Sequence, residues 1–219
     1  MVGELARGRV LWGVGTPRTM RAHWALHELS LAYETEAIGS RSGETQTVEF
    51  STLNPRQKIP VLQDGDFTIS ESAAIIAYLA EVYGSENVRL VPAGQHERAR
   101  WLEWNFFIAM ELDATTLYVL RRHASLPDVY GEAPAAVECA KTYFFKQLGF
   151  VDQTLRLGAP FLMGDLFTTA DILLTTCLTW AILREAPMHD SCRAYLERIT
   201  TRPAYKTALA ANAPRPERA

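Results

Sequence analysis

The sequence predicts two domains, an α/β unit followed by an all-helical one, and three observations carry that prediction. Strand-like and helix-like patterns alternate over the first 80 residues. Within them, two short apolar runs flank Asp64-Gly65, a pair suited to a tight hairpin turn. From His96 onward the periodicity is helical throughout.

The elements follow in order. Arg9–Val14, "RVLWGV", reads as a strand, and from Arg18 to Ser30 the residues Ala22, Ala25, Leu26 and Leu29 share one helical face. Tyr33–Gly39 alternates like a second strand, and Ser40 to Asn54 reads as loop plus an irregular helix. Ile59–Ser70 is the hairpin. A helix runs from Ser70, a candidate N-cap, to Gly84, placed as a C-terminal cap. Gly84 to Gln95 resembles a linker. One long helix is expected from His96 to Ala124, with Trp101, Trp104, Ile108, Leu112 and Thr115 along one face. Ala133–Gly158 is another. Thr168–Glu185 is a third, opened by a capping box in which Asp171 stands three residues after Thr168. The last stretch gives at least one more helix, broken near Pro203. The predicted boundaries are 1–84, a linker at 85–95, and 96–219.

With 219 residues and 48% hydrophobic content, the chain has ample material for a core. A net charge of −3 offers no basic field for nucleic acid. Cys139, Cys177 and Cys192 have neither framework nor metal-ligand spacing, which favours a reducing compartment and buried thiols. The opening "MVGELARGRV" lacks the apolar core of a secretory leader. The longest apolar stretches fall short of the ~20 residues a bilayer span needs. These features predict a soluble cytoplasmic protein with no membrane or nucleic-acid partner.

The candidate chemistry begins at "GVGTPRTMRAH", Gly13–His23, where a strand turns into a helix. The turn offers two threonines and two arginines but neither Cys nor Tyr. His23 and His27, four apart on a helix, have metal-like spacing, yet no third ligand accompanies them; a partly exposed helix face is expected and no metal.

Three motifs, "LWGVGTPRTMRAHWALHELSLAYE", "LNPRQKIPVLQDGDFTISESAAIIAYL" and "LMGDLFTTADILL", resemble the soluble glutathione transferase family over nearly the whole chain. The middle motif is the most specific, with Pro60 preceding Glu71 and Ser72 at the family's spacing. The resemblance implies a thioredoxin-like N-terminal domain that binds glutathione as co-substrate, without a tightly bound cofactor. It implies a helical domain that supplies a second-substrate pocket, a homodimer, and a role in detoxification. Ile59–Pro60 would be a cis bond, with the Ile59 backbone pairing with the cysteinyl unit. Lys58 would meet the glycyl carboxylate. Glu71 would take the ammonium, and Ser72, at a helix N-terminus, the γ-glutamyl carboxylate.

A bound thiol must be shifted toward thiolate at neutral pH, and family members aim a Tyr, Ser or Cys at it. Here Trp12 stands where some classes have tyrosine, and Arg18 where some bacterial members have cysteine. The opening is similar to a bacterial-like serine-type motif with threonine in place of serine. Thr16 then becomes the thiolate stabiliser, Thr19 a helix cap or glutathione contact, and Arg18 a source of positive potential. On the long helix, Trp104, Phe107 and Tyr118 are candidates for the apolar pocket. Asp113 is either a contact to the partner subunit's glutathione or a surface acid. The activity implied is conjugation of glutathione to apolar electrophiles. A glutathione-dependent isomerase or dehalogenase, or a non-catalytic binding or regulatory protein, are the alternatives.

Overall fold

A computed structural model describes residues 8–214; most of the N-terminal segment read for a leader therefore lies outside the described residues. The chain divides into two compact units, one of residues 8–88 with 202–214 and the other of 89–201. The sequence-based boundaries need one correction: the last helix belongs with the first unit. Its sequence is helical and so continues the pattern of its neighbours, but its partners lie in the α/β part.

The first unit holds β1 (Arg9–Trp12), α1 (Pro17–Glu28), β2 (Glu34–Glu36), a 3₁₀ turn (Glu44–Gln46), α2 (Val48–Leu53), β3 (Val61–Asp64), β4 (Phe67–Ser70), α3 (Ser72–Tyr83) and α10 (Pro203–Ala211). The sheet order is β2-β1-β3-β4, with β1 parallel to β2 and antiparallel to β3. This is the mixed sheet of a thioredoxin-like domain. Leu11, Val61 and Leu62 are fully buried, as are Ala25 and Leu26 of α1 and Ile75 and Leu79 of α3. Each large apolar side chain so placed contributes roughly 1.5–3 kcal/mol. Helix α10 is tied to α1 by an edge-on Trp24–Tyr205 contact at 4.9 Å. The Arg202 guanidinium also donates to both Glu28 oxygens at 2.7 Å.

Local details depart from the expected pattern for identifiable reasons. The two-residue hairpin loop is Gly65-Asp66, because Asp64 still pairs with Phe67; Gly65 supplies the positive φ of 62°. Ser70 is the last strand residue, paired with Val61, so the α3 N-cap is Glu71. Gly84 does close α3, but at a φ of −61°. Its lack of a side chain matters instead because a Cβ there would sit 2.4 Å from the Ala80 carbonyl oxygen.

The second unit comprises α4 (Gln95–Phe107), a π-helical segment (Ile108–Leu117), α5 (Tyr118–Ser125), α6 (Pro127–Tyr130), α7 (Pro134–Leu155), α8 (Thr169–Leu183) and α9 (Asp190–Ile199). The expected long helix is thus continuous but locally unwound. In the π segment Tyr118 N–H donates to the Asp113 carbonyl, five residues back. The wider turn rotates the inner face by one position, so Thr116 is buried and Thr115 is exposed, contrary to the regular spacing. Helix α8 is buried on almost every side. Its predicted capping box is present, with Thr168 N–H donating to Asp171 Oδ2 at 2.8 Å. Leu162 N–H and the Tyr195 hydroxyl donate to Asp171 Oδ1 at 2.9 and 2.7 Å. Burial pushes the Asp171 carboxyl up and these donors pull it back. Cys177 and Cys192 are buried as expected, whereas Cys139, on the outer face of α7, is exposed. Among the described residues no helix is long and apolar enough to cross a membrane.

Candidate functional site

The candidate site is built in the first unit, where β1 runs into α1. Gly13, at φ 113°, leaves the strand, and a Cβ there would lie 2.6 Å from the Ile59 Cβ. The turn therefore rests directly on the residue before Pro60, and only glycine permits that approach. The Ile59–Pro60 peptide is cis. Ile59 is half-buried and Pro60 buried at the head of β3.

Thr16 is the N-cap of α1. Its Oγ1 accepts from Thr19 N–H at 3.0 Å, while Thr19 Oγ1 accepts from Thr16 N–H at 3.0 Å. Pro17 follows at the first helical position, where the absent N–H costs nothing. The reciprocal pair corrects the assignment of the cap to Thr19 alone. It also removes Thr19 from the ligand-contact set, since that side chain is fully buried. Thr16 and Arg18 are half-exposed. Trp12 Nε1–H is committed to Gln63 Oε1 at 2.7 Å and has no role toward a thiol.

The second half of the site is the start of α3. Ser72 is 6% exposed, and its Oγ accepts from the buried Arg21 guanidinium at 3.1 Å. A guanidinium only donates, so the Ser72 hydroxyl keeps its own proton for an acceptor at the helix N-terminus. Arg21 adds a fixed positive charge behind that terminus. Glu71 is exposed, at φ 71° and ψ 112°, a conformation that costs a non-glycine residue about 1–3 kcal/mol and clusters at functional sites. Its carboxylate is held by Arg56 Nη1 at 2.9 Å, and Arg56 also donates to the Ser70 hydroxyl. Exposed Lys58 sits on a loop shaped by Asn54, whose Nδ2 donates to the Lys58 carbonyl at 2.8 Å.

Sequence reasoning missed Arg21, Arg56, Asn54 and Asn212. The one available signal was that Arg21 is the second of the two arginines in the opening turn, set between Met20 and Ala22. His23 was misjudged as well: it is fully buried. Burial lowers its pKa to about 4, against a smaller upward pull from the Gly13 carbonyl. Neutral His23 then donates Nε2–H to Gly13 O at 3.2 Å and accepts from the Tyr33 hydroxyl at Nδ1, 2.8 Å away. His27 Nε2 lies 3.2 Å from the same hydroxyl. Among the described residues no cluster of three His, Cys, Asp or Glu side chains could hold a metal.

The candidates on the long helix lie in the second unit. Trp104 is 4% exposed and stacked on Phe150 at 4.8 Å, so it is core. Phe107 and Tyr118 are half-buried, the latter beneath the Arg122 guanidinium. Asp113 is 2% exposed and is not the surface acid considered from sequence. So deep a carboxylate has almost no surface to offer a second copy.

Comparison with known proteins decides what this geometry belongs to. Residues 7–81 match the glutathione S-transferase N-terminal domain. Glutathione S-transferase 3 of Zea mays is 30% identical over 207 residues, covering 90% of each chain. The chain belongs to the glutathione S-transferase family. Among solved structures, a glutathione transferase from Methylococcus capsulatus str. Bath is 28% identical with a TM-score of 0.80, covering 93% of this chain and 98% of that one. The theta class glutathione S-transferase of Xanthomonas axonopodis pv. citri, with glutathione bound, is 26% identical with a TM-score of 0.78; the match covers 94% and 98%. The thioredoxin-like sheet and the helical region after it are therefore those of this family.

Proposed function

We propose that this glutathione S-transferase family member binds glutathione in its first unit, stabilises the thiolate through Thr16, and conjugates it to apolar electrophiles. The observation that carries the reading is Thr16, half-buried as the N-cap of α1 in a turn packed against Ile59. Glutathione bound to the theta class relative supports the ligand. The Ile59 backbone takes the cysteinyl unit, Lys58 the glycyl carboxylate, Ser72 with the α3 N-terminus the γ-glutamyl carboxylate, and Glu71 the ammonium. Arg18 adds positive potential near the sulfur.

In the reaction, the thiol proton passes to solvent as the Thr16 hydroxyl and the α1 dipole stabilise sulfur's negative charge. A sulfur lone pair forms the new C–S bond, and the leaving group departs with its bonding pair. In an addition, the resulting carbanion takes a proton from water. Phe107 and Tyr118 are the candidates for contact with the electrophile. A second copy covering exposed Leu102, Phe106 and Met110, spaced four apart, would make the homodimer. The three free thiols suit a reducing cytoplasm.

The capping duty of the Thr16 hydroxyl favours a second reading, in which glutathione binds without activation and the protein is a non-catalytic binder. Thiolate absorbance of bound glutathione, titrated against pH, separates the two. Activation requires a thiol pKa below that of free glutathione, and the Thr16→Ala variant should raise it by about 1–2 units, the worth of one hydrogen bond to a charged group. Assays over a panel of electrophiles then identify the substrate. An unshifted wild-type thiol would leave only the binder.

A further inference from the structure

The Thr16 turn is clamped by a residue almost two hundred positions away. Asn212 is the C-cap of α10 and is 9% exposed. Its main-chain oxygen accepts from Gly15 N–H at 2.8 Å, and its Oδ1 lies 3.2 Å from the same donor. Asn212 Nδ2 donates to the Thr16 carbonyl at 3.2 Å, and Oδ1 accepts from the Thr19 hydroxyl at 2.6 Å. Helix α10 is itself anchored on α1 through Arg202–Glu28 and Tyr205–Trp24, so the clamp is carried by a rigid element.

Counting protons around the turn gives this clamp a chemical consequence. The Thr19 hydroxyl has one proton and three nearby acceptors: Asn212 Oδ1 at 2.6 Å, the Thr16 carbonyl at 2.9 Å and Thr16 Oγ1 at 3.0 Å. The Thr16 carbonyl already receives Met20 N–H at 3.0 Å and Asn212 Nδ2–H, which fill its two lone pairs. The Thr19 proton therefore goes to Asn212, by the shortest of the three contacts. Buried Thr19 is left an acceptor toward Thr16, and the Thr16 hydroxyl keeps a proton that can turn from Thr19 Oγ1 to an incoming sulfur.

We infer that Asn212 is a positioning residue for thiol activation: it takes up the proton of the buried Thr19 hydroxyl, fixes the Gly15–Thr16 backbone, and so holds the Thr16 donor in place. The inference rests on the proposed role of Thr16. It assigns to the chain's C-terminal segment a part in setting the reactivity of a thiol bound at the N-terminal turn.

The test titrates the thiolate absorbance of glutathione bound to the full-length wild type and to Thr16→Ala, Asn212→Ala, Thr19→Val and the Asn212→Ala/Thr19→Val double variant. Asn212→Ala is expected to raise the bound-thiol pKa by about half a unit or more, as a donor loses its aim. Its glutathione Kd at acidic pH, where the thiol is protonated in every variant, should stay within about twofold of wild type. Thr19→Val should give a similar shift, and the double variant less than the sum of the two, because they share the Thr19–Asn212 contact. An Asn212→Ala variant that loses thermal stability but keeps the wild-type thiol pKa makes the clamp merely structural and overturns the inference. Should that variant not fold, an unshifted pKa in Thr19→Val overturns it equally. Failure of the underlying transferase reading has a different signature: an unshifted thiol in wild type itself.

Discussion

His23 offers the most quantitative test of how the turn is built. The ring is fully buried on α1 and its pKa falls from 6.5 to about 4, chiefly through desolvation. The unfolded chain therefore binds a proton that the native state refuses throughout the window between those values. Stability then rises with pH there: it is fully present above pH 6.5 and lost as pH falls toward 4. The whole gap is worth about 3 kcal/mol, and about 2 kcal/mol of it should already be gone at pH 5. His27, whose pKa is also lowered by burial, pushes in the same direction, so a control is needed. The His23→Gln variant supplies one, because its amide can still donate to the Gly13 carbonyl and accept from Tyr33. Urea denaturation of both proteins at neutral pH and at pH 5 gives the comparison. Wild type should lose about 2 kcal/mol more than His23→Gln. Equal losses, or a His23 ring that titrates near 6.5 by NMR in the folded protein, would refute the buried neutral tautomer and the Gly13–His23–Tyr33 chain built on it.

Two further outcomes follow from the same geometry. Gly13→Ala places a methyl 2.6 Å from the Ile59 Cβ at a φ of 113°, and should destabilise the protein by about 2–5 kcal/mol in urea denaturation; a neutral result would mean the turn does not rest on Ile59. Arg21→Met removes the guanidinium that donates to Ser72 and should raise the glutathione Kd about tenfold by calorimetric titration. An unchanged Kd would take Arg21 out of the proposed carboxylate site.

The parts of the molecule legible in the sequence are those written over a few residues. The Thr168–Asp171 box was found because cap and partner stand three apart, and the strand–helix order because periodicity is local. The opening "GTPRT" hid its meaning differently: two threonines three apart are visible, but which one caps depends on where extended backbone ends, and Thr16 holds a φ of −128°. The same limit moved the α3 cap from Ser70 to Glu71, since pairing with Val61 kept Ser70 in the strand. What could not be read are contacts made across long loops of chain. Arg21 reaches Ser72 over 51 residues, and Thr19 reaches Asn212 over 193. No spacing rule connects such pairs; only the packing of α1 against α3 and α10 does. That division has a functional corollary. Glu71 and Ser72 and the Thr16 pair form recognisable local signatures, whereas Arg21 and Asn212 stand behind them, one bonded to the Ser72 hydroxyl and the other to the Thr16 carbonyl. Arg21 donates to the Ser72 hydroxyl and Asn212 to the Thr16 carbonyl, so neither takes the proton of Ser72 or Thr16, and substitutions distant in sequence should change the proposed site's chemistry while every motif residue stays in place.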